Sequence, residues 1–77
     1  MDQDILLFLQ QQIQWHREQD LLLAKIEGKL RAMKALAEYR LVHDLPFNEI
    51  QLLNGQLQQL KQEVLILEQE LHKEMIH

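Results

Sequence analysis

His16 and Asp20 are the residues of this sequence whose types and spacing best suit acid–base chemistry. Four positions apart on a helix, they share one face, where a carboxylate can orient an imidazole that acts as a base. Such a base needs a nucleophile to activate, and the chain contains neither Ser nor Cys. We therefore predict no catalytic residues, and we expect His16 to form a polar pair with Glu74 across two helices.

His72 and Glu68 share a helical face in the same way, and His77, Glu70 and Glu74 are close in sequence. A transition-metal site needs three or four converging ligands, and the fraying end of a helix holds none of them rigidly. We interpret these histidines as solvated side chains that are favoured by the negative end of the helix dipole. The sequence predicts no metal site and no cofactor.

Trp15 and Phe8 are seven residues apart, on one helical stripe that Leu22 continues. An aromatic platform for a ligand is one interpretation, but apolar residues at helical spacing are more typical of a packing surface. We therefore predict no small-molecule substrate and assign this stripe to protein contacts.

The composition favours long helices held together by more than one chain. Of 77 residues, 47% are hydrophobic, while only two are Gly and one is Pro. A chain this short cannot enclose a large core, and the absence of Cys removes disulfides as a source of stability. Oligomerisation remains, so we expect a dimer or larger homo-oligomer.

The formal charge of −4 argues against a nucleic-acid partner, which would favour a basic chain. One basic stretch does occur, and it contains Lys25, Lys29, Arg31, Lys34 and Arg40 together with Glu27 and Glu38. We interpret this stretch as a complement to the acidic second half of the chain. Contact with a phosphate backbone is the alternative.

The N-terminus, Met1-Asp2-Gln3-Asp4, has acids where a signal peptide would carry basic residues. The apolar run at 5–9 is too short to span a bilayer, so we expect a cytoplasmic protein. An amphipathic helix with Trp and Leu can lie in a membrane interface, but the surrounding acids would repel anionic lipid.

Leu45-Pro46 marks the turn between two helices, because proline disfavours helix at the preceding residue. Asn48 with Gln51 matches a capping box, and Phe47 is placed to pack on Leu52. The sequence predicts one domain with a helix at about 3–43, a turn at about 44–47 and a second helix at about 48–76.

Each predicted helix carries an apolar seam, the line of residues along which two helices pack. Steps of three and four join the members of the second seam, Ile50, Leu53, Leu57, Leu60, Val64, Leu67 and Leu71, and those of the first, Leu23, Ile26, Leu30, Met33 and Ala37. Antiparallel partners then have residue numbers adding to about 90. We predict an all-α fold, an antiparallel two-helix coiled-coil hairpin that assembles into a dimeric four-helix bundle.

In this register the first helix extends beyond the second by about a dozen residues. The extension and its continuation are too apolar to be left in water by a monomer. We predict that the oligomer or partner interface contains Ile5, Leu6, Phe8, Leu9, Ile13, Trp15 and Leu22.

The stretch from Ile26-Glu27 through Leu30-Arg31 to Leu36-Ala37, with Glu49-Ile50 and Leu57, resembles the sporulation-type aspartyl-phosphate phosphatases. The resemblance implies a small helical hairpin that acts on response regulators. That family carries Ser-Gln-Glu-Leu-Asp where this chain has Asn54-Gly55-Gln56-Leu57-Gln58, so the acidic residue expected to carry the chemistry is missing. The hairpin chaperones of type III secretion are similar at the level of architecture.

These observations favour a non-enzymatic interaction module that acts as an adaptor, chaperone or regulator and associates with itself. A heterologous protein partner is compatible with the apolar extension. Two alternatives stay open at this point, a degenerate phosphatase-like regulator and a nucleic-acid-associated regulator that uses the basic stretch.

Overall fold

A computed structural model describes residues 2–75, with side chains as far as Lys73. It contains two helices, α1 (Asp2–Val42) and α2 (Phe47–Met75), and no strand among the described residues. The prediction of an all-α helical hairpin is thereby confirmed. The hairpin is a rod of 67 × 18 × 12 Å. Ile76 and His77, to which the predicted second helix extended, lie outside the described residues.

His43 closes the C-terminal end of α1. Its backbone N–H donates to the carbonyl of Tyr39 at 3.1 Å, and its Nδ1 lies 3.0 Å from the same oxygen. Because a carbonyl only accepts, this contact requires the tautomer with hydrogen on Nδ1. The two rings also stack, with centroids 4.0 Å apart. A carbonyl left over at the helix end is thus satisfied by the chain itself.

Pro46 rather than Asn48 caps the start of α2. The Pro46 carbonyl accepts from the N–H groups of Glu49 at 3.0 Å and Ile50 at 3.1 Å. The helix therefore begins at Phe47, and Asn48 lies inside its first turn instead of forming the predicted capping box with Gln51. Proline is tolerated here because a helix start does not use the donor that proline lacks.

The seven predicted seam residues of α2 are all buried or half-buried in the structure. Leu53 and Val64 are the most enclosed, at 6% and 7% exposure. An amphipathic helix buries its continuous apolar stripe against its neighbour. The spacing of the apolar residues in the sequence is therefore enough to identify the buried face of α2.

The structure rotates α1 relative to the predicted seam. Ile26 and Met33 face α2 as predicted, but Leu23, Leu30 and Ala37 are exposed, the two leucines at 49%. The residues half-buried in their place are Leu22, Lys29 and Leu36. The physical reason is that α1 has two adjacent apolar stripes that share Ile26 and Met33, and α2 can cover only one. The covered stripe includes Lys29, whose Nζ lies 2.6 Å from the Glu63 carboxylate of α2.

Polar contacts between the helices also shift the register. Lys29 pairs with Glu63, and Arg40 Nη1 donates to Asn54 Oδ1 at 3.2 Å. These pairs have residue numbers adding to 92 and 94, so opposed positions add to about 93 instead of the predicted 90. The difference is close to one helical turn.

The core of the hairpin is small. Its buried apolar side chains are Ile26, Leu53 and Val64, and no described side chain is fully enclosed. Gln19 is also buried, and its Nε2 has no hydrogen-bond partner among the described residues.

We expect the register to be detectable by disulfide formation, since the chain has no natural Cys. Met33→Cys with Leu60→Cys, whose numbers add to 93, should form an intramolecular disulfide under mild oxidation, because bridging needs alpha carbons within about 7 Å. Leu30→Cys with Leu60→Cys is the matched control and should oxidise more slowly. Faster oxidation of the control, measured by non-reducing electrophoresis and mass, would restore the register read from the sequence.

Candidate interaction surfaces

The N-terminal part of α1 extends past the end of α2. The two helices contain 41 and 29 residues, and the observed register places Met75 opposite Glu18. We call residues 2–14 the overhang, which is about 20 Å long at a rise of about 1.5 Å per residue. Its large apolar side chains are each about half exposed, and they are Ile5, Leu6, Leu7, Phe8, Leu9 and Ile13.

Five of the seven predicted interface residues, those between Ile5 and Ile13, thus lie on exposed surface. The other two, Trp15 and Leu22, are half-buried. The rotation of α1 explains the difference, since it turns Leu22 towards α2. Trp15 packs edge-on against His16, with ring centroids 4.9 Å apart.

Beside the covered seam, α1 carries a second apolar line along its whole length. The line advances by steps of three and four, and polar residues occupy four of its positions, His16, Asp20, Glu27 and Lys34. We call this line the flanking stripe, and it contains Leu6, Leu9, Ile13, Leu23, Leu30, Ala37 and Leu41, all of them exposed. It starts in the overhang and ends at the turn.

A further apolar patch lies at the turn, at the opposite end of the rod from the overhang. Leu41, Val42, Phe47 and Leu52 are the most exposed large apolar residues of the protein, with Leu41 at 87%. We call these four the turn-end patch. The turn-end patch was not predicted from the sequence. Loops are usually polar, so the apolar connection Leu45-Pro46-Phe47 was the sequence feature that could have indicated it.

Four of the five cations in the basic stretch have partners within the protein. Lys29 pairs with Glu63, and Arg40 donates to Asn54. Arg31 pairs with Glu27 at 2.6 Å and Lys34 with Glu38 at 3.9 Å, both one turn apart on α1. Only the Lys29–Glu63 pair joins the stretch to an acid of the second half of the chain, as the sequence interpretation expects, and the Arg31 and Lys34 pairs lie within α1.

An open groove of about 620 Å³ runs between the helices near the middle of the hairpin. Gly28, Ile66 and Leu67 give it apolar walls, and the Lys29–Glu63 pair lies along it. The space beside Gly28 is empty to at least 4 Å from the position of an added Cβ. The groove is a shallow depression rather than an enclosed ligand cavity.

The residues first considered for chemistry do not converge. His16, Asp20, Glu68 and His72 are each exposed, and no cluster of three or more metal-ligating side chains occurs within the described part of the chain. Gln58, at the position where the phosphatase family has its acid, is exposed on α2. The described helices also contain no segment long and apolar enough to cross a membrane.

Comparison with protein-family models, curated proteins and solved structures finds no match to this chain. The exposed apolar surfaces and the charges around them are therefore the basis on which a function can be argued.

The ion pair between the helices gives a testable dependence on pH. The Lys29 ammonium, together with the Gln59 amide, holds the pKa of Glu63 below its ordinary value. A lowered folded-state pKa stabilises the fold above the unfolded pKa and ceases to do so as pH falls through the folded value. Glu63→Gln should therefore lower the melting temperature at pH 7, and the gap from the parent protein should close towards pH 3.

Glu70→Gln is the matched control, because Glu70 is an exposed acid of α2 with no ion pair among the described residues. Its melting temperature should track that of the parent at both pH values. A gap for Glu63→Gln that is equal at pH 7 and pH 3 would show that the pair does not hold the helices in register.

Proposed function

We propose that this protein is a non-enzymatic interaction module, a helical hairpin that packs as a coiled coil and associates with itself in the cytoplasm. Two hairpins together make a dimeric four-helix bundle, which serves as an adaptor, chaperone or regulator. The observation that carries the proposal is the imbalance between the three apolar side chains that are buried among the described residues and an apolar surface that extends along all of α1.

The magnitudes support association. Complete burial of a Leu, Ile or Phe side chain stabilises by about 1.5–3 kcal/mol. The large apolar residues of the stripe and overhang other than Leu41 are already about half covered, so a partner would add roughly 1 kcal/mol for each of them. Summed over the flanking stripe, this gain is comparable to the whole stability of a small domain, about 5–15 kcal/mol.

The exposed surface also fits a module better than an enzyme or a nucleic-acid binder. Catalysis would need converging polar groups, whereas the candidates here are dispersed along the rod. Binding to a phosphate backbone would need unpaired cations, whereas four of the five face an acid or an amide. A heterologous protein would use the same apolar surface, with the overhang as its most accessible part.

Self-association predicts that stability depends on concentration. We expect a solution mass of twice the 9.3 kDa chain or more, and a melting temperature that rises between micromolar and hundred-micromolar protein, as mass action requires. Sedimentation equilibrium and circular dichroism measure the two quantities. A monomer whose melting temperature is constant across that range would contradict the proposal.

The overhang gives a second, independent prediction. Replacing Leu6, Phe8 and Leu9 together with Gln should weaken association, because three exposed apolar side chains would no longer be buried by the other chain. Far-ultraviolet circular dichroism should still show a helical protein, since the buried residues Ile26, Leu53 and Val64 are unchanged.

Leu7→Gln with Leu21→Gln is the control for this variant. Both leucines are more than half exposed, and they lie two heptads apart on a face of α1 away from the flanking stripe. This control should associate as the parent does. Equal association of the triple variant and the parent would remove the overhang from the interface.

A further inference from the structure

We infer that the flanking stripe is covered by the same stripe of a second copy of this chain, laid antiparallel, so that each overhang lies along the half of the partner's α1 that ends at the turn. This inference rests on the proposed self-association and adds to it the surface, the occupant and the orientation. Helix α1 of one copy then runs along α1 of the other, with the two α2 helices on the outside. Three features of the structure point to this arrangement.

The first feature is the area that each arrangement can bury. Helix α1 has 41 residues, so its stripe is about 60 Å long and about 10 Å wide, or roughly 600 Å² per copy. Two copies overlapping along their whole length bury about 1,200 Å², the lower limit for specific interfaces of about 1,200–2,000 Å². Two hairpins joined end to end through their overhangs alone would bury only about a third of that area. Full overlap is therefore required.

The second feature is the position of the exposed apolar groups. The overhang and the turn-end patch lie at opposite ends of a 67 Å rod, and the stripe connects them. A two-fold axis perpendicular to α1 places the N-terminal end of α1 in one copy beside the C-terminal end of α1 in the other. Residues that face each other across the axis then have numbers adding to about 43. Leu6 then lies near the partner's Ala37, and Ile13 near the partner's Leu30. One symmetry operation places the overhang of each copy against residues 29–41 of the other, which include Leu41 of the turn-end patch, and this is the closed geometry of an isologous dimer.

The third feature is the charge along α1, which selects the antiparallel orientation. Residues 2–20 carry a formal charge of −3, and residues 21–42 carry +3. A parallel dimer would place like charge on like charge at both ends, whereas the antiparallel dimer places each acidic half on a basic half. Helix α2 carries −3 over 47–75 and would repel the overhang. The acidic segment is thus directed to the partner's α1.

Distances between spin labels test the arrangement on the full chain, since the absence of Cys allows a single labelled site. Asp44→Cys places the label at the turn, and Ala24→Cys places it near the middle of α1. In the antiparallel dimer the two turn labels should be about 65 Å apart and the two mid-helix labels less than about 30 Å apart. Pulsed electron–electron resonance measures both distances.

The other outcomes overturn the inference and separate its failure from that of self-association. Distances under about 30 Å at both sites would show a parallel dimer. About 110 Å at the turn with about 50 Å at mid-helix would show contact through the overhangs alone. Each of these keeps the proposed self-association and rejects the orientation. A monomeric mass with no dipolar signal would reject both.

A pair of variants tests the surface separately from the orientation. Leu23→Gln with Leu30→Gln changes only exposed residues of the stripe, and we expect it to raise the dissociation constant of the dimer at least about tenfold. Leu21→Gln, an equally exposed leucine on another face of α1, should leave that constant within about twofold. An unchanged constant for the stripe variant, with helicity retained, would overturn the inference.

Discussion

A hairpin of two helices has a single line of contact, and each helix can cover only one stripe of its partner. Helix α2 comes closer to meeting this constraint, because seven of its apolar residues form one stripe that the seam buries, while Phe47, Leu52, Leu65 and Ile66 stay exposed. Helix α1 does not, since it has two adjacent stripes that share Ile26 and Met33. Whichever stripe faces α2, the other must remain on the surface. The small core and the exposed flanking stripe are both consequences of this geometry.

The choice between the two stripes is made by polar groups. The covered stripe has Lys29 where the predicted seam has Leu30. Contact of Lys29 with Glu63 at 2.6 Å compensates in part for drawing an ammonium group towards the seam. Polar residues at such positions lower stability but select one register over its neighbours. The flanking stripe then stays outside, where it is available to another chain.

How much of this follows from the sequence depends on the residues concerned. The two helices, the turn at Pro46 and the α2 seam could be predicted, because each is encoded by local periodicity or by proline geometry. The rotation of α1 could not, because counting apolar residues favours Leu23, Leu30 and Ala37 and ignores an ion pair to a residue 34 positions away. The sequence did not predict that Pro46 caps α2, because Asn is the commoner residue at a helix N-cap and Asn48 was therefore preferred. The overhang could be predicted from the unequal lengths of the two helices. The turn-end patch was not predicted and was identified only from the observed exposures of Leu41 and Phe47.

The small core has a consequence for how long a molecule survives. With no described side chain fully enclosed, a separate hairpin opens readily, and proteases cleave opened chains in proportion to how often they occur. If a second copy covers the stripe, association lowers the fraction of molecules that are separate hairpins and can be cleaved. Clearance would then be fast when the protein is scarce and slow when it is abundant. Such a chain would have a threshold abundance below which it is removed and above which it accumulates, without a separate regulator.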